Sequence, residues 1–285
     1  MPGSGVEELS GAGLGLRRGM LPMLNKLEDG DVDFFEVAPE NWIGVGGRFG
    51  RQFHDLTERF DFVCHGLSLS LGSPAPLDVE FLRNVRHFID EFHIKGFSEH
   101  LSFCSDEQGH LYDLMPIPFT EEAASYVASR IRQTQDILGR QIAVENISYY
   151  AAPGMHISEA QFVNQVLAEA DCKLLLDVNN IFVNSVNFSY EPLEFLLSLD
   201  LARVELIHVA GHYVEAPDLR VDTHGSDVIE PVWNLLSEAY ARIGPVPTLL
   251  ERDFNFPKLT DLLSEVDHVR HLQHAAAHSE LSMLH

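Results

Sequence analysis

The stretch "KLLLDVNNIFVNS" (173–185) begins as an apolar strand and ends in a carboxylate and three amides, at Asp177, Asn179, Asn180 and Asn184. In water, a carboxylate after a strand indicates an ordinary turn. In a protein interior it needs a cation, because an unpaired buried charge is costly. The strand has the composition of a buried one, so the stretch predicts a central strand with a cation beside Asp177.

Similar apolar runs alternate with helix-length amphipathic segments along the chain. With the run at 173–180, the candidate strands are 12–17, 33–41, 61–71, 96–103, 141–148, 204–212 and 247–253. The candidate helices are 78–94, 120–139, 158–170, 229–244 and 257–277. This alternation predicts parallel strands with right-handed crossovers, whose simplest closure is an α/β fold of the (β/α)8 TIM-barrel type.

An open doubly wound sheet is the alternative fold. Such a sheet normally carries a glycine-rich phosphate-binding turn between its first strand and its first helix. The segment "GAGLGLRRG" (11–19) resembles that turn, but its glycines lie inside the candidate strand. No shift in composition divides the chain, so we expect a single barrel domain over 1–285, with frayed tails at 1–10 and 275–285.

Composition limits the partners and the compartment. The formal net charge is −24, from 43 acidic and 19 basic residues, which disfavours nucleic acid as a partner. No apolar run is long enough to span a membrane, and the N-terminus lacks the pattern of a signal peptide. Cys64, Cys104 and Cys172 lack the spacing of a disulfide framework or a zinc ribbon, so we expect a cytoplasmic protein in which Cys64 and Cys104 are structural.

Residue types that bind metals lie near the carboxyl ends of the candidate strands, where the active sites of TIM barrels lie. They are His65, Glu99, His100, Glu145, Asp177, Asn180, His208, His212, Asp222, His224, Glu251 and Asp253. The even spacing of His208 and His212 predicts that both point to one face of their strand. Taken singly, a strand histidine is more often a hydrogen-bonded core residue, and Glu145 or Asp177 can cap a helix or pair with Arg252.

The conjunction of these residues favours a metal centre. Four carboxylates and at least four imidazoles cannot share a buried barrel mouth without cations, and Arg17, Arg18 and Arg252 are too few to neutralise them. Two or three divalent ions would balance the charge. Nitrogen and oxygen ligands suit zinc, iron or manganese, and a carboxylate such as Glu145 can bridge two ions.

Eight motifs of the chain together resemble one known family. They are "HGLSLSLGS", "SEHLSF", "YDLMPIPFTEEA", "VENISYY", "LLLDVNNIFVNS", "IHVAGHY", "VDTHG" and "PTLLERDFN". In this order they resemble the multinuclear non-haem iron-dependent oxidative enzymes, the family of the iron subunit that builds methanobactin. The resemblance covers residues 12–265 and implies a TIM barrel similar to xylose isomerase and endonuclease IV. It also implies an oxidoreductase that uses two or three iron ions, of mixed valence, and dioxygen to modify cysteine in a ribosomally synthesised precursor peptide.

The resemblance further implies a ligand set. The residues expected to hold the first iron are His65, His100 and Glu145. Those expected to hold the second, with Glu145 as the bridge, are Asp177, His208 and Glu251. Those expected to form a third, weaker site are Asn180, His212, Asp222 and His224. Endonuclease IV has a histidine where this chain has Asn180, so that residue favours the oxidative family.

The residues on which the chemistry is expected to depend are Glu145, Asp177, His208 and Glu251. The residues expected to support the ligands from outside are Glu99, Asn146 and Asp253. The resemblance also implies a small partner protein that recognises the leader segment of the precursor peptide. The long connections 104–119 and 213–225 are either a rim that holds this peptide or packed surface loops.

Three other functions remain open from the sequence. A zinc phosphoesterase like endonuclease IV needs a basic groove, which the net charge disfavours. A divalent-metal sugar isomerase needs a lysine or histidine poised on a sugar carbon, and Lys95 and Lys173 lie at the wrong ends of their strands. A metal-storage protein would bind the ions without consuming dioxygen, and only an assay distinguishes it.

Overall fold

The computed structural model describes residues 9–106, 108–151 and 154–283. The strands of this part of the chain are, in order, β1 (Ala12–Gly15), β2 (Phe34–Val37), β3 (Asp61–Gly66), β4 (Phe97–His100), β5 (Ser102–Asp106), β6 (Gly109–Pro116), β7 (Ala143–Glu145), β8 (Lys173–Asp177), β9 (Val204–Ala210), β10 (Tyr213–Ala216), β11 (Leu219–Val221) and β12 (Thr248–Glu251). The α-helices are α1 (Leu21–Leu24), α2 (Gly47–Thr57), α3 (Val79–Glu91), α4 (Glu121–Leu138), α5 (Glu159–Ala170), α6 (Val178–Phe188), α7 (Pro192–Ser198), α8 (Glu230–Ile243) and α9 (Leu259–Met283).

Eight of the described strands form a closed barrel in the order β1-β12-β9-β8-β7-β4-β3-β2, and every neighbouring pair is parallel. Because β1 pairs with both β12 and β2, the sheet closes on itself. The predicted (β/α)8 TIM barrel is therefore confirmed, and the doubly wound alternative is excluded. Gly13 and Gly15 lie within β1, where the sequence placed them.

The interior of the barrel is built in layers, because side chains alternate between the two faces of each strand. One interior layer is apolar, and its members are Phe34, Val63, Ala143, Leu175, Leu206 and Leu249. Chain neighbours of these residues, such as Phe35, Leu174 and Ile207, point outward into the core between strands and helices. The next interior positions, two residues further along each strand, face the carboxyl end of the barrel.

Local signals begin and end the helices that the sequence located. Asp78 and Thr120 each accept a backbone N–H at the starts of α3 and α4. Ser158 and Gln161 form a capping box at the start of α5. Helix α4 ends at Gly139, whose φ of 71° is left-handed and so favours glycine.

All eight barrel strands end earlier than the sequence predicted, and two of these ends change where predicted site residues lie. Strand β8 stops at Asp177, because this side chain accepts the backbone N–H of Asn180 and so begins α6 at once. The amides at 179 and 180 therefore lie in a helical turn and not in a strand. Strand β9 stops at Ala210, so the prediction that His212 shares a strand face with His208 is wrong.

The long connections and the tails add detail that the sequence did not supply. The first connection contains the hairpin β5–β6, and the second contains β10–β11. Helix α9 runs to Met283, so residues 275–283 are helical where a frayed tail was expected. Residues 1–8 and 284–285 of the expected tails lie outside the described residues. Among the described helices, none is long and apolar enough to cross a membrane.

Candidate metal centre

The interior layer above the apolar one is polar on six strands. Two residues beyond each apolar member lie, in chain order, Glu36, His65, Glu145, Asp177, His208 and Glu251. Each of these residues is at most 6% exposed. Strand alternation alone therefore stacks four carboxylates and two imidazoles inside the barrel, one layer above an apolar floor.

A cavity of about 660 Å³ opens above this layer at the carboxyl ends of the strands. The predicted ligands that line it are His65, His100, Glu145, Asn180, Asp222, His224 and Glu251. Asp177 and His208 are fully buried and contact this group from inside the barrel. His212 is also buried but lies outside the four carboxylate and imidazole clusters found in the described residues.

Three ligand atoms form a nearly equilateral triangle at one side of the cavity. His65 Nε2 lies 3.1 Å from His100 Nε2, and Glu145 Oε2 lies 3.1 Å and 3.2 Å from these two nitrogens. Ligand atoms about 2.0–2.1 Å from a tetrahedral metal ion are separated by about 3.3 Å. The triangle therefore has the size of one face of a coordination polyhedron.

Hydrogen bonds on the far side of each ring show which nitrogen carries a proton. His100 Nδ1 lies 2.9 Å from the carbonyl oxygen of Gly66, which can only accept. His65 Nδ1 lies 2.8 Å from the Ser98 hydroxyl, which itself donates to the carbonyl of Cys64 and so accepts from the ring. In their neutral forms both rings turn an Nε2 lone pair toward Glu145. Three lone pairs that converge need a cation between them.

The electrostatics of this triangle also indicate a missing positive charge. Burial opposes the charge of the His100 imidazolium, but the negative charges of Glu145 and Glu99 outweigh it and raise the pKa of His100 to about 9. Burial likewise opposes ionisation of Glu145, but His100 and His65 outweigh it and lower the pKa of Glu145 to about 2. A proton on His100 thus balances the carboxylate, and a metal ion would displace that proton.

Glu145 also faces a second cluster, formed with Asp177 and His208. Glu145 Oε1 lies 3.8 Å from His208 Nδ1, a buried nitrogen with no hydrogen-bond partner among the described residues. Asp177 has two roles, since Oδ1 caps α6 while the buried Oδ2 has no partner in the described part of the chain. Burial, followed by the charges of Glu145 and Asp222, raises the pKa of Asp177 well above its usual value. A role as a helix cap therefore accounts for only one of the two carboxylate oxygens of Asp177.

Glu251 closes the second cluster and joins it to the loop after β11. Its Oε2 lies 3.3 Å from His208 Nδ1 and 3.4 Å from His224 Nδ1. On its other oxygen, Oε1, it accepts a 3.0 Å hydrogen bond from Arg17. Burial opposes ionisation of Glu251, but His224 and His208 outweigh it and hold its pKa well below the usual value.

The residues predicted for a third ion are only partly brought together. Asp222 Oδ1 lies 2.7 Å from His224 Nε2, but His224 clusters with Asp177 and Glu251. His212 Nδ1 lies 2.8 Å from the side-chain oxygen of Asn179, and Asn179 donates to Asp222. Two remaining acceptors are buried and have no hydrogen-bond partner in the described chain: Asn180 Oδ1 and His212 Nε2. These free acceptors fit a third ion, whose ligand set remains a prediction.

The residues expected to support the ligands do so in three ways. Glu99 Oε1 lies 3.5 Å from His100 Nδ1. Asn146 pairs with the backbone of Asp177 through two hydrogen bonds of 2.9 Å. Asp253 accepts from Arg17 and contacts His224 Nδ1 at 3.2 Å. Arg252 points away from the cavity to Asp227 and Glu265, so it does not neutralise the ligands.

Sequence reasoning missed Glu36 as a member of this layer. Glu36 is 1% exposed, and its Oε2 lies 2.9 Å from His208 Nε2. The signal was available, because Glu36 follows Phe34 by two residues on a strand that was correctly located. The sequence analysis assigns no ligand to that strand, because a single glutamate between apolar residues has no motif around it.

The cysteines and the long connections agree with the sequence analysis in part. Cys64, Cys104 and Cys172 are free and buried, and burial raises the pKa of each thiol. These thiols are therefore poor nucleophiles. The first connection lines the cavity with Cys104, His110, Leu111, Asp113 and Leu114. Its hairpin thus forms part of the cavity wall, and its contact with a peptide remains a prediction.

Comparison with known proteins identifies relatives over nearly the whole chain. A family model described as "RiPP precursor modification enzyme MbnB/TglH/ChrH" matches residues 11–274, where RiPP denotes a ribosomally synthesised and post-translationally modified peptide. A UPF0276 protein of Shewanella amazonensis is 57% identical over 265 residues, which cover 93% of this chain and 95% of the relative.

Solved structures match the fold at low identity. A xylose isomerase domain protein from Planctomyces limnophilus has a TM-score of 0.58 at 14% identity, and the match covers 95% of this chain and 99% of that protein. Endonuclease IV from Thermus thermophilus has a TM-score of 0.58 at 16% identity, with 94% and 99% covered. At these identities the likeness shows the fold alone, and it is the xylose-isomerase-like TIM barrel that the sequence predicted.

Proposed function

We propose that this chain, which belongs to the MbnB/TglH/ChrH family of RiPP precursor modification enzymes, uses bound iron and dioxygen to oxidise cysteine in a precursor peptide. Membership of the family makes the chain a peptide-modifying enzyme. The observation that supports a metal-dependent reaction is the convergence of His65, His100 and Glu145 in a triangle of 3.1–3.2 Å. Iron and the cysteine substrate are the parts of the proposal that the resemblance supplies.

The residues present fit a centre of two or three iron ions. Imidazole nitrogens and carboxylate oxygens are ligands that non-haem iron accepts. His65, His100 and Glu145 would hold one ion, and Asp177, His208 and Glu251 would join Glu145 around a second. Iron supplies the redox chemistry and the site for dioxygen when it is bound, so the chain needs no organic cofactor.

The protein's own groups keep the ligands in place and close the centre off from the opposite end of the barrel. Gly66 and Ser98 fix the rings of His100 and His65 with Nε2 turned inward. Asn146 holds the end of β8, and so the position of Asp177. The apolar layer beneath the site separates it from the opposite end of the barrel. Such rigid support is typical of catalytic metal sites.

The walls of the cavity fit a peptide better than a phosphate ester. Its rim carries the exposed apolar side chains of Leu67, Leu111 and Tyr150, which are 44%, 49% and 45% exposed. Among the described lining residues, Arg17 is the one with a permanent positive charge, and Glu251 and Asp253 already engage it. A nucleic acid backbone would meet an acidic surface there, which disfavours the phosphoesterase alternative.

The proposal extends to a partner. By the resemblance, a small protein that binds the leader segment of the precursor would present the cysteine to this cavity. Leader recognition by a partner would leave the cavity itself to contact only the residues around the modified cysteine.

Reconstitution tests the proposal directly. The chain is purified and loaded with iron without air, and a cysteine-containing precursor peptide encoded beside its gene is added with dioxygen and the neighbouring leader-binding protein. We expect a mass change in the peptide that requires iron, dioxygen and the cysteine. The same peptide with cysteine replaced by serine is the matched control. An unchanged mass with a fully iron-loaded protein and every component present would refute the proposed reaction.

A further inference from the structure

Glu36 lies in the same interior layer as the predicted ligands but contacts only one of them closely. Strand β2 turns Phe34 and Glu36 into the barrel, and β9 turns Leu206 and His208 into the same two layers. The shared layer brings Glu36 Oε2 to 2.9 Å from His208 Nε2. Both side chains are at most 1% exposed, so the contact is shielded from bulk solvent.

The two nitrogens of His208 face different surroundings. Within the described part of the chain, the hydrogen-bond partner of Nε2 is Glu36. Nδ1 faces Glu251 at 3.3 Å and Glu145 at 3.8 Å, and it is buried without a hydrogen-bond partner among the described residues. A carboxylate at 2.9 Å accepts a proton from Nε2, so the lone pair of the neutral ring lies on Nδ1.

We propose that Glu36 is a positioning residue that holds His208 with its proton on Nε2 and its Nδ1 lone pair on the metal shared with Glu145, Asp177 and Glu251. This role rests on the proposed metal centre, but it does not depend on the peptide or on dioxygen. A carboxylate that accepts from the outer nitrogen of a ligating histidine fixes the orientation of the ring and raises its basicity.

A different geometry is possible for the same residues. Glu36, His208 and Glu251 lie close enough together to hold one ion between them. In that arrangement Glu36 itself is a ligand, and His208 binds the ion through Nε2. That arrangement would leave Nδ1 of His208, between two carboxylates, away from the metal. The two arrangements place the proton of the metal-bound ring on opposite nitrogens, and this difference is measurable.

The first test is nitrogen NMR of the full chain, labelled with ¹⁵N-histidine and loaded with Zn²⁺ as a diamagnetic metal. The signal of His208 is assigned by its loss in His208→Gln. We expect a proton on Nε2 and the metal on Nδ1. A proton on Nδ1 with the metal on Nε2 would overturn the proposal, and this measurement on the wild-type chain needs no Glu36 variant to fold.

The second test is competition for Zn²⁺ between a chelator and the variants Glu36→Gln and Glu36→Asp, with Glu205→Gln at the other end of the barrel as the control. We expect each Glu36 variant to bind as many ions as the wild type at saturation, with one of them weakened by about 10–100-fold. In the His208→Gln background, Glu36→Gln should have no further effect on the remaining ions. The loss of one ion at saturation would make Glu36 a ligand, and an unchanged affinity would remove its role.

These outcomes are separate from those of the proposed function. If the wild-type chain binds no Zn²⁺ in this cavity, the metal centre is wrong and the role of Glu36 falls with it. If Zn²⁺ binds as described but the iron-loaded chain leaves the peptide unchanged, only the proposed oxidation fails.

Discussion

The two ends of the barrel carry cavities of similar size that differ in the kind of polar groups in their walls. The cavity at the carboxyl ends measures about 660 Å³ and the one at the amino ends about 750 Å³. The amino-end cavity combines apolar residues with a few polar ones, among them Lys95, Lys173 and Glu205. The carboxyl-end cavity combines an apolar rim with a cluster of carboxylates and imidazoles. Volume therefore does not identify the functional end of this barrel.

Buried polar atoms without a hydrogen-bond partner distinguish the two ends. Within the described residues they include side-chain atoms of Glu40, Glu145, Asp177, Asn180, His208 and His212, all near the carboxyl ends of the strands. No residue that lines the amino-end cavity contributes such an atom among those described. An unpaired buried polar atom lowers the stability of the fold. The concentration of such atoms at the carboxyl ends of the strands therefore indicates that a ligand binds there.

Exposed apolar side chains show the same asymmetry. In the connections that follow the carboxyl ends of strands, they include Leu67, Leu111, Tyr150, Tyr213 and Phe254. In the described loops that lead directly into the amino ends, helices excluded, no large apolar side chain is exposed. Contact with a macromolecule is therefore expected at the metal end of the barrel.

The largest effect on metal binding and peptide modification should come from replacing a carboxylate at the carboxyl end of the barrel, with a carboxylate at the amino end as the control. Glu145→Gln removes the group that faces two clusters, so we expect loss of bound metal and of peptide modification. The loss should exceed the roughly 10–100-fold that a supporting residue costs. Glu205→Gln should leave both unchanged. Both variants are compared by their metal content after dialysis and by mass spectra of the peptide. Equal losses of metal and of peptide modification in the two variants would contradict the distinction between the two ends.

A smaller effect should appear in the pH dependence of the unfolding free energy. The pKa of His100 is raised to about 9, so its pairing with Glu145 stabilises the metal-free protein fully below its unfolded pKa near 6.5. This stabilisation is lost as pH rises from about 6.5 toward 9. Because the pKa of Glu145 is lowered to about 2, the same pairing is also lost as pH falls from about 4.5 to 2.

The metal-loaded protein should show the opposite slope above pH 6.5. Protons compete with the ion for His100, so metal affinity should rise by about tenfold per pH unit for each proton displaced. Tighter binding stabilises the folded state. Calorimetric unfolding of metal-free and Zn²⁺-loaded protein between pH 6.5 and 8 measures both slopes. Parallel slopes would mean that no ion replaces the proton of His100.

The smallest effect should come from the apolar rim. Leu111→Ser removes apolar area that the peptide would cover, which is worth about 1 kcal/mol, or roughly fivefold in KM. We expect kcat and metal content to stay unchanged, since Leu111 is not one of the predicted ligands. Leu197→Ser, at an equally exposed leucine on α7, is the control. A change in kcat without a change in KM would place the peptide elsewhere.

The sequence predicted the fold well because periodicity and caps are local signals. The eight barrel strands and the caps at Asp78 and Ser158 were located from residues close in the chain. Strand ends were less predictable, since Asp177 both ends a strand and caps the next helix. The position of His212 was wrong for the same reason, because an even spacing says nothing once the strand has stopped.

The candidate site was predictable as a set of residue types and not as a geometry. His65 and Glu145 were recognised because each follows a buried strand segment in a familiar motif. Glu36 was missed because its partner, His208, lies 172 positions away in the chain. Only barrel closure, which pairs β1 with both β2 and β12, brings these distant strands into one layer.

Metal content is the measurement that tests the central claim most directly. The chain should be purified quickly without air from iron-supplemented cells and analysed by elemental analysis and Mössbauer spectroscopy. The account predicts two or three iron ions per chain, with a mixed-valent signal. One equivalent or more of zinc with no iron would contradict it and would favour a hydrolytic zinc enzyme instead.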